Sequence, residues 1–153
     1  MSRLQWMAEH LLQERPATEE PQEQQAPPRV LLAEDQPEMR SLLRSALARD
    51  GYEVIEAEDG PAVIRAIISG LVEERARAPD LIITDVRMPG FTGLEVLARL
   101  RREKWLTPVI LITAFGDEAL HAEAARLGAT RVLDKPFELE DLRAAVRELL
   151  KPH

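Results

Sequence analysis

Cysteine is absent from the 153 residues. That excludes a disulfide scaffold, a thiol nucleophile and a cysteine-ligated zinc site. No apolar run approaches the ~20 residues of a membrane span. The opening MSRLQWMAEHLLQER lacks the apolar stretch of a signal peptide. An excess of positive charge is missing too. The formal net charge is −7, and such a balance repels phosphates and argues against direct nucleic-acid binding. These absences predict a soluble, cytoplasmic protein with neither membrane nor nucleic acid as a direct partner. The length suits one domain, perhaps with a tail, and a single core suffices at this size.

What is present is unevenly spread. Residues 1–28 hold Gln5, Gln13, Gln22, Gln24 and Gln25, four prolines, and five Glu against Arg3 and Arg15, a net of −3. The stretch PATEEPQEQQAPP (16–28) has almost nothing to bury, and its prolines remove backbone donors, so it reads as a flexible linker. Before it, Leu4, Met7, Leu11 and Leu12 recur at helical spacing, with Trp6 beside them. This is either a frayed terminal helix or a docking or self-association segment. From Arg29 onward short apolar runs alternate with helical patterns. The runs are 30–33, 52–57, 80–84, 108–113 and 130–134. Three are continuously apolar, as parallel strands covered on both faces are. Five βα units predict an α/β fold with a parallel sheet, whose ligands bind at the carboxyl ends of the strands.

Glu34 and Asp35 follow the first run, Asp85 the third, and Lys135 and Pro136 the fifth; Thr113 ends the fourth. Three carboxylates, a hydroxyl and an ammonium would thus meet at one edge. Carboxylates that close repel, so either one is protonated or a cation sits among them. All-oxygen donors favour Mg²⁺. With a metal at Asp35 and Asp85, Asp85 could act as a nucleophile and form an aspartyl phosphate, while Thr113 and Lys135 serve the phosphoryl oxygens.

The segments VLLAEDQPEMRSLL, PDLIITDVRMPGFTGLEVL, PVILITAFGD and GATRVLDKPFELEDL resemble the receiver domain of two-component response regulators. The likeness runs over residues 29–150. The acid pair, D-x-x-M-P-G, the hydroxyl and K-P-F occur in order. It implies a doubly wound, flavodoxin-like (βα)₅ fold with sheet order 2-1-3-4-5. It implies that Asp85 is the phosphoacceptor, that Asp35 and Asp85 bind Mg²⁺ with Glu34 acting through water, and that the Arg87 carbonyl is a further ligand. Thr113 is then the switch hydroxyl, Lys135 its partner, Lys135–Pro136 a cis bond, and Met88-Pro89-Gly90 the turn after the acceptor. The phosphoryl donor would be a phosphohistidine on a histidine kinase or histidine phosphotransfer protein. The face of helix 4, strand 5 and helix 5 would carry the signal to an unknown output protein. Such a domain is no enzyme beyond its own phosphorylation and dephosphorylation.

Three departures from the family pattern stand out. Val132 replaces the usual aromatic ring, which points to weakened coupling or to harmless drift. The stretch between Gly60 and Asp85 is longer than usual, which predicts a second helix projecting past the sheet and bent or ended at Gly70, as a solvated extension or a docking surface for a partner or second subunit. Arg87 and Phe115, two residues after Asp85 and Thr113, would shield the aspartyl phosphate. The chain stops at His153, directly after the last helix, so the expectation is a stand-alone receiver over 29–153. A second copy is a candidate partner. The alternatives are a phosphorylation-independent interaction module, or a receiver fragment of a larger regulator. An aspartate-nucleophile phosphatase of the haloacid dehalogenase kind is disfavoured, because those enzymes carry D-x-D after their first strand.

Overall fold

Each apolar run becomes a strand. In the computed structural model, which describes residues 26–72, 78–90, 92–114 and 118–150, the strands are β1 (Arg29–Ala33), β2 (Glu53–Ala57), β3 (Leu81–Asp85), β4 (Val109–Thr113) and β5 (Arg131–Asp134). Between and after them run α1 (Pro37–Arg49), α2 (Gly60–Val72), α3 (Gly93–Arg102), α4 (Glu118–Arg126) and α5 (Leu139–Leu149). The strands form one sheet in the order β2-β1-β3-β4-β5, every pair parallel. The predicted doubly wound fold and strand order are thus observed.

The continuous apolar runs follow from two buried faces. Successive side chains point to opposite sides of a strand. Val30, Leu32, Leu81, Ile83, Ile110 and Ile112 pack against Leu43 and Leu47 of α1 and Leu142 and Val146 of α5. Leu31, Ile82, Val109 and Leu111 pack on the other side, with Val63 and Ile67 of α2, Val96, Leu97 and Leu100 of α3, and Ala124 of α4. Both alternating sets are therefore apolar, and no polar stripe remains to mark a solvent face.

Local chemistry sets the helix limits. Pro37 opens α1, where a missing N–H costs nothing. Thr92 caps α3 reciprocally: its Oγ1 accepts from Glu95 N (3.1 Å), and Glu95 Oε1 accepts from Thr92 N (2.9 Å). One expectation needs correction. Gly70 does not end the second helix, since α2 continues through it to Val72. Residues 73–77, which would carry the rest of the projection, lie outside the described residues, as do residues 1–25 with the terminal helix candidate and most of the linker. Among the described residues no helix is long and apolar enough to cross a membrane.

Candidate functional site

Asp85 is the last residue of β3 rather than the first of a loop. Its strand continues one hydrogen bond further, from Val86 N to Ile112 O (2.8 Å), so the carboxylate leaves a rigid element. It is 5% exposed. One oxygen, Oδ1, accepts from the Arg87 backbone N–H (3.0 Å), and Oδ2 accepts from Lys135 Nζ (2.8 Å). Glu34 lies beside it, 1% exposed, its Oε2 accepting from Gln36 N (3.1 Å). Asp35 is exposed at the rim. One oxygen from each of Glu34, Asp35 and Asp85 lies within 4.8 Å of the others. The three carboxylates predicted to meet therefore do so.

The electrostatics are those of a crowded anionic site with one counter-charge. Burial raises the Glu34 pKa above the usual carboxylate range, and the nearby Asp85 charge adds to it, while the Gln36 N–H and Lys135 pull the other way. Burial disfavours the Lys135 ammonium, but its hydrogen bond and charge contact with Asp85, joined by Glu34, outweigh this and hold its pKa above the ordinary lysine value. Lys135 Nζ is 3.6 Å from Glu34 Oε1, beyond a hydrogen bond, and that buried oxygen has no hydrogen-bond partner. A buried anionic oxygen left so is costly. An all-oxygen cluster with an orphaned buried carboxylate oxygen fits a hard divalent cation, which prefers such donors.

Thr113 ends β4, 2% exposed, one position beyond Ile112, the register partner of Asp85. Its carbonyl accepts from Lys135 N (2.7 Å), so Thr113 and Lys135 are held together across the β4–β5 edge. The Lys135–Pro136 bond is cis, as expected. Gly90 takes φ +82°, and a Cβ there would stand 2.5 Å from Pro61 Cδ, so the turn after Asp85 needs glycine twice over. Arg87 and Asp35 line a cleft with Met88, Pro89 and Thr92 beside the carboxylates. Val132 pairs with Leu111 and is half-buried against the α2–α3–α4 side of the core. Phe115 lies outside the described residues.

Two residues of the site were missed from sequence. Arg40 Nη1 donates to the Glu34 carbonyl (2.7 Å), and its Nε lies 3.3 Å from Glu56 Oε1; its place one turn into α1 was the available signal. Gly93 lets α3 close onto the acceptor strand, since a Cβ there would meet Asp85 O at 2.5 Å. The G in T-G-L-E, directly after the Thr cap, could have raised that question.

The family described as the response regulator receiver domain matches residues 30–147. The transcriptional regulatory protein TcrA of Mycobacterium tuberculosis is 38% identical over 121 residues, 79% of this chain and 45% of its own length. The chain spans about half the length of several such regulators, including 52% of TctD of Salmonella typhimurium. By contrast it covers 93% of sporulation initiation phosphotransferase F of Bacillus subtilis, with 31% identity over 122 residues, 80% of this chain. Among solved structures, the response regulator TrrA of Thermotoga maritima, in complex with Mg²⁺ and beryllofluoride, aligns with TM-score 0.68 and 32% identity over 80% of this chain and 99% of that one.

Proposed function

Because the chain belongs to the response regulator receiver domain family of two-component phosphorelay signalling, we propose that it accepts a phosphoryl group on Asp85 and signals through altered protein contacts. The observation that carries this reading is the Asp85 carboxylate itself, buried, fixed between Lys135 Nζ and the Arg87 N–H, and clustered with Glu34 and Asp35.

The donor is a phosphohistidine on a histidine kinase or histidine phosphotransfer protein. A carboxylate oxygen of Asp85 attacks phosphorus. The P–N bond to the imidazole breaks, its electron pair returns to nitrogen, and the ring leaves as neutral histidine once protonated. Lys135 changes partner from the Asp85 carboxylate to a phosphoryl oxygen, keeping its positive charge throughout, and its raised pKa favours that. Thr113 donates a hydrogen bond to a second phosphoryl oxygen. Asp35 and Asp85, the carbonyl of Arg87, and Glu34 through water would hold Mg²⁺. When bound, Mg²⁺ neutralises the carboxylates and lets the anionic phosphoryl group approach. The fully buried β3 and β4 keep Asp85 and Thr113 in place, and positioning is most of what phosphoryl transfer asks of a protein. Hydrolysis of the aspartyl phosphate resets the domain, and Arg87, which lines the cleft beside the carboxylates, would shield it from water. The protein acts on no other substrate.

Residues 29–153 are taken as the receiver unit and 1–28 as the segment preceding it. The output partner is a protein, met at the α4–β5–α5 face, whose two conformations phosphorylation rebalances.

The test is labelling by a small phosphodonor such as acetyl phosphate, with and without Mg²⁺, in the wild type and in Asp85→Asn. Label that requires both Mg²⁺ and Asp85 supports the reading. Equal labelling of the variant overturns it.

A further inference from the structure

A second surface, at the opposite end of the sheet from the acidic cluster, carries an apolar groove. Helices in this fold run back from the carboxyl edge, so the last turns of α2 and α3 lie at the amino edge of the strands. There a groove of about 250 Å³ is lined by Ile64, Ile67 and Ile68 of α2, and by Leu100 and Trp105, with Arg99 and Glu103 at its rim. Ile68 is 49% exposed, and Leu106, beside Trp105, is 86% exposed. The groove floor, Ile67 and Leu100, is already buried, so an occupant would cover the open side of Ile68 and the half-buried Ile64 and Trp105, and would reach Leu106 outside the groove.

The chain itself supplies a fitting occupant. β1 begins at this same edge: Arg29 N donates to Asp80 Oδ2 (2.8 Å), Asp80 N to Arg29 O (2.7 Å), and Ile82 N to Pro108 O (3.0 Å). The residues before β1 therefore arrive at the same edge of the sheet at which α2 and α3 end. Residues 1–15 carry Leu4, Met7 and Leu11, a stripe at i, i+3, i+7. Residues 16–28 can extend to ~45 Å, ample to let the stripe turn back onto α2 and α3. A tether of that length holds the segment at about millimolar effective concentration, so even a weak contact is populated. Charge agrees. The tether carries Glu19, Glu20 and Glu23 and no basic residue, while the last turn of α3 carries Arg99, Arg101 and Arg102.

We infer that residues 1–15 dock their Leu4–Met7–Leu11 stripe into the α2–α3 groove of their own chain. The contact leaves the carboxyl edge open, and it stands or falls independently of the role of Asp85.

The absence of cysteine makes the test clean. A nitroxide on Gln13→Cys, away from the stripe, labels the full chain at one position. The expected result is loss of most amide signal intensity at residues 64–68 and 99–105, with α1 and α5 unaffected. Ile68→Asp, an exposed position whose change leaves the fold intact by its amide spectrum, should restore those signals. So should Leu11→Glu. Three results overturn the inference: no broadening at the groove, broadening that survives both variants, or equal broadening of an unlabelled ¹⁵N chain mixed with spin-labelled ¹⁴N chain, which assigns the groove to a second copy.

Discussion

The α1–α5 flank of the sheet and its α4–β5 edge are held very differently. On one, α1 and α5 bury Leu43, Ala46, Leu47, Leu142, Ala145 and Val146. They are also clamped to each other, because Arg143 donates to both oxygens of Asp50 (2.9 and 2.7 Å). On the other, α4 buries Ala124 alone among the described residues. Each residue of β3 and β4 is buried, and none of β5 is. An exposed pair, His121 Nε2 and Asp134 Oδ2 at 3.0 Å, joins α4 to β5. The proposed site lies on the seam: Asp85 belongs to the well-packed centre, while Lys135 hangs from the shallow edge. The chemistry is thus anchored on one side and free to report on the other. Elements with few buried apolar contacts open most easily.

The sharpest way to break this comparison is truncation. Leu142→Ala should cost roughly 2–5 kcal/mol in denaturant unfolding, as fully buried leucines do. Leu120→Ala, half-buried on α4, should cost about 1 kcal/mol. Equal costs would erase the asymmetry. Next, amides of α4 and β5 should exchange with solvent about 100-fold faster than those of β1, β3, β4 and α5, a gap of local opening rather than of global unfolding. Uniform protection would contradict it.

A smaller effect concerns the clamp. The Arg143 hydrogen bond holds the Asp50 pKa below the ordinary carboxylate value. A lowered folded-state pKa gives stability that is complete above the unfolded carboxylate pKa of about 4 and is lost as pH falls through the folded value. Asp50→Asn should therefore lower stability at neutral pH by about 1 kcal/mol, less in high salt. The difference from wild type should vanish on acidification. A variant that tracks the wild type at neutral pH would show the clamp to be idle.

The smallest expected effect separates looseness from switching. Val132 is half-buried in the core and carries no ring to move inward. Beryllofluoride with Mg²⁺ should therefore shift the amides of residues 128–134 only slightly. Large shifts there would mean that the edge is driven by something other than an aromatic at 132.

What could be read in the sequence was whatever a short window encodes. The strands at 30–33 and 108–113 carry their own period, and D-x-x-M-P-G and K-P-F carry their own spacing, so the five βα units and the meeting of Glu34, Asp35, Asp85 and Lys135 were legible. Contacts made across the fold were not. Arg143 and Asp50 are 93 positions apart, and each reads as a solvated charge on a helix end. The near-complete burial of Glu34 was equally hidden, since an acid after a strand is ordinarily exposed. It depends on the neighbouring Arg40, Gln36 and Lys135 closing around it.

The central claim is that the seam residue Asp85 takes the phosphoryl group. Acyl phosphates are reduced by borohydride, which turns a phosphorylated aspartate into homoserine and leaves free carboxylates unchanged. After acetyl phosphate and Mg²⁺, borohydride trapping and tandem mass spectrometry should find homoserine at position 85 and at no other acid. Homoserine at Asp35 or Asp134, or at none while phosphate is incorporated, would contradict the account.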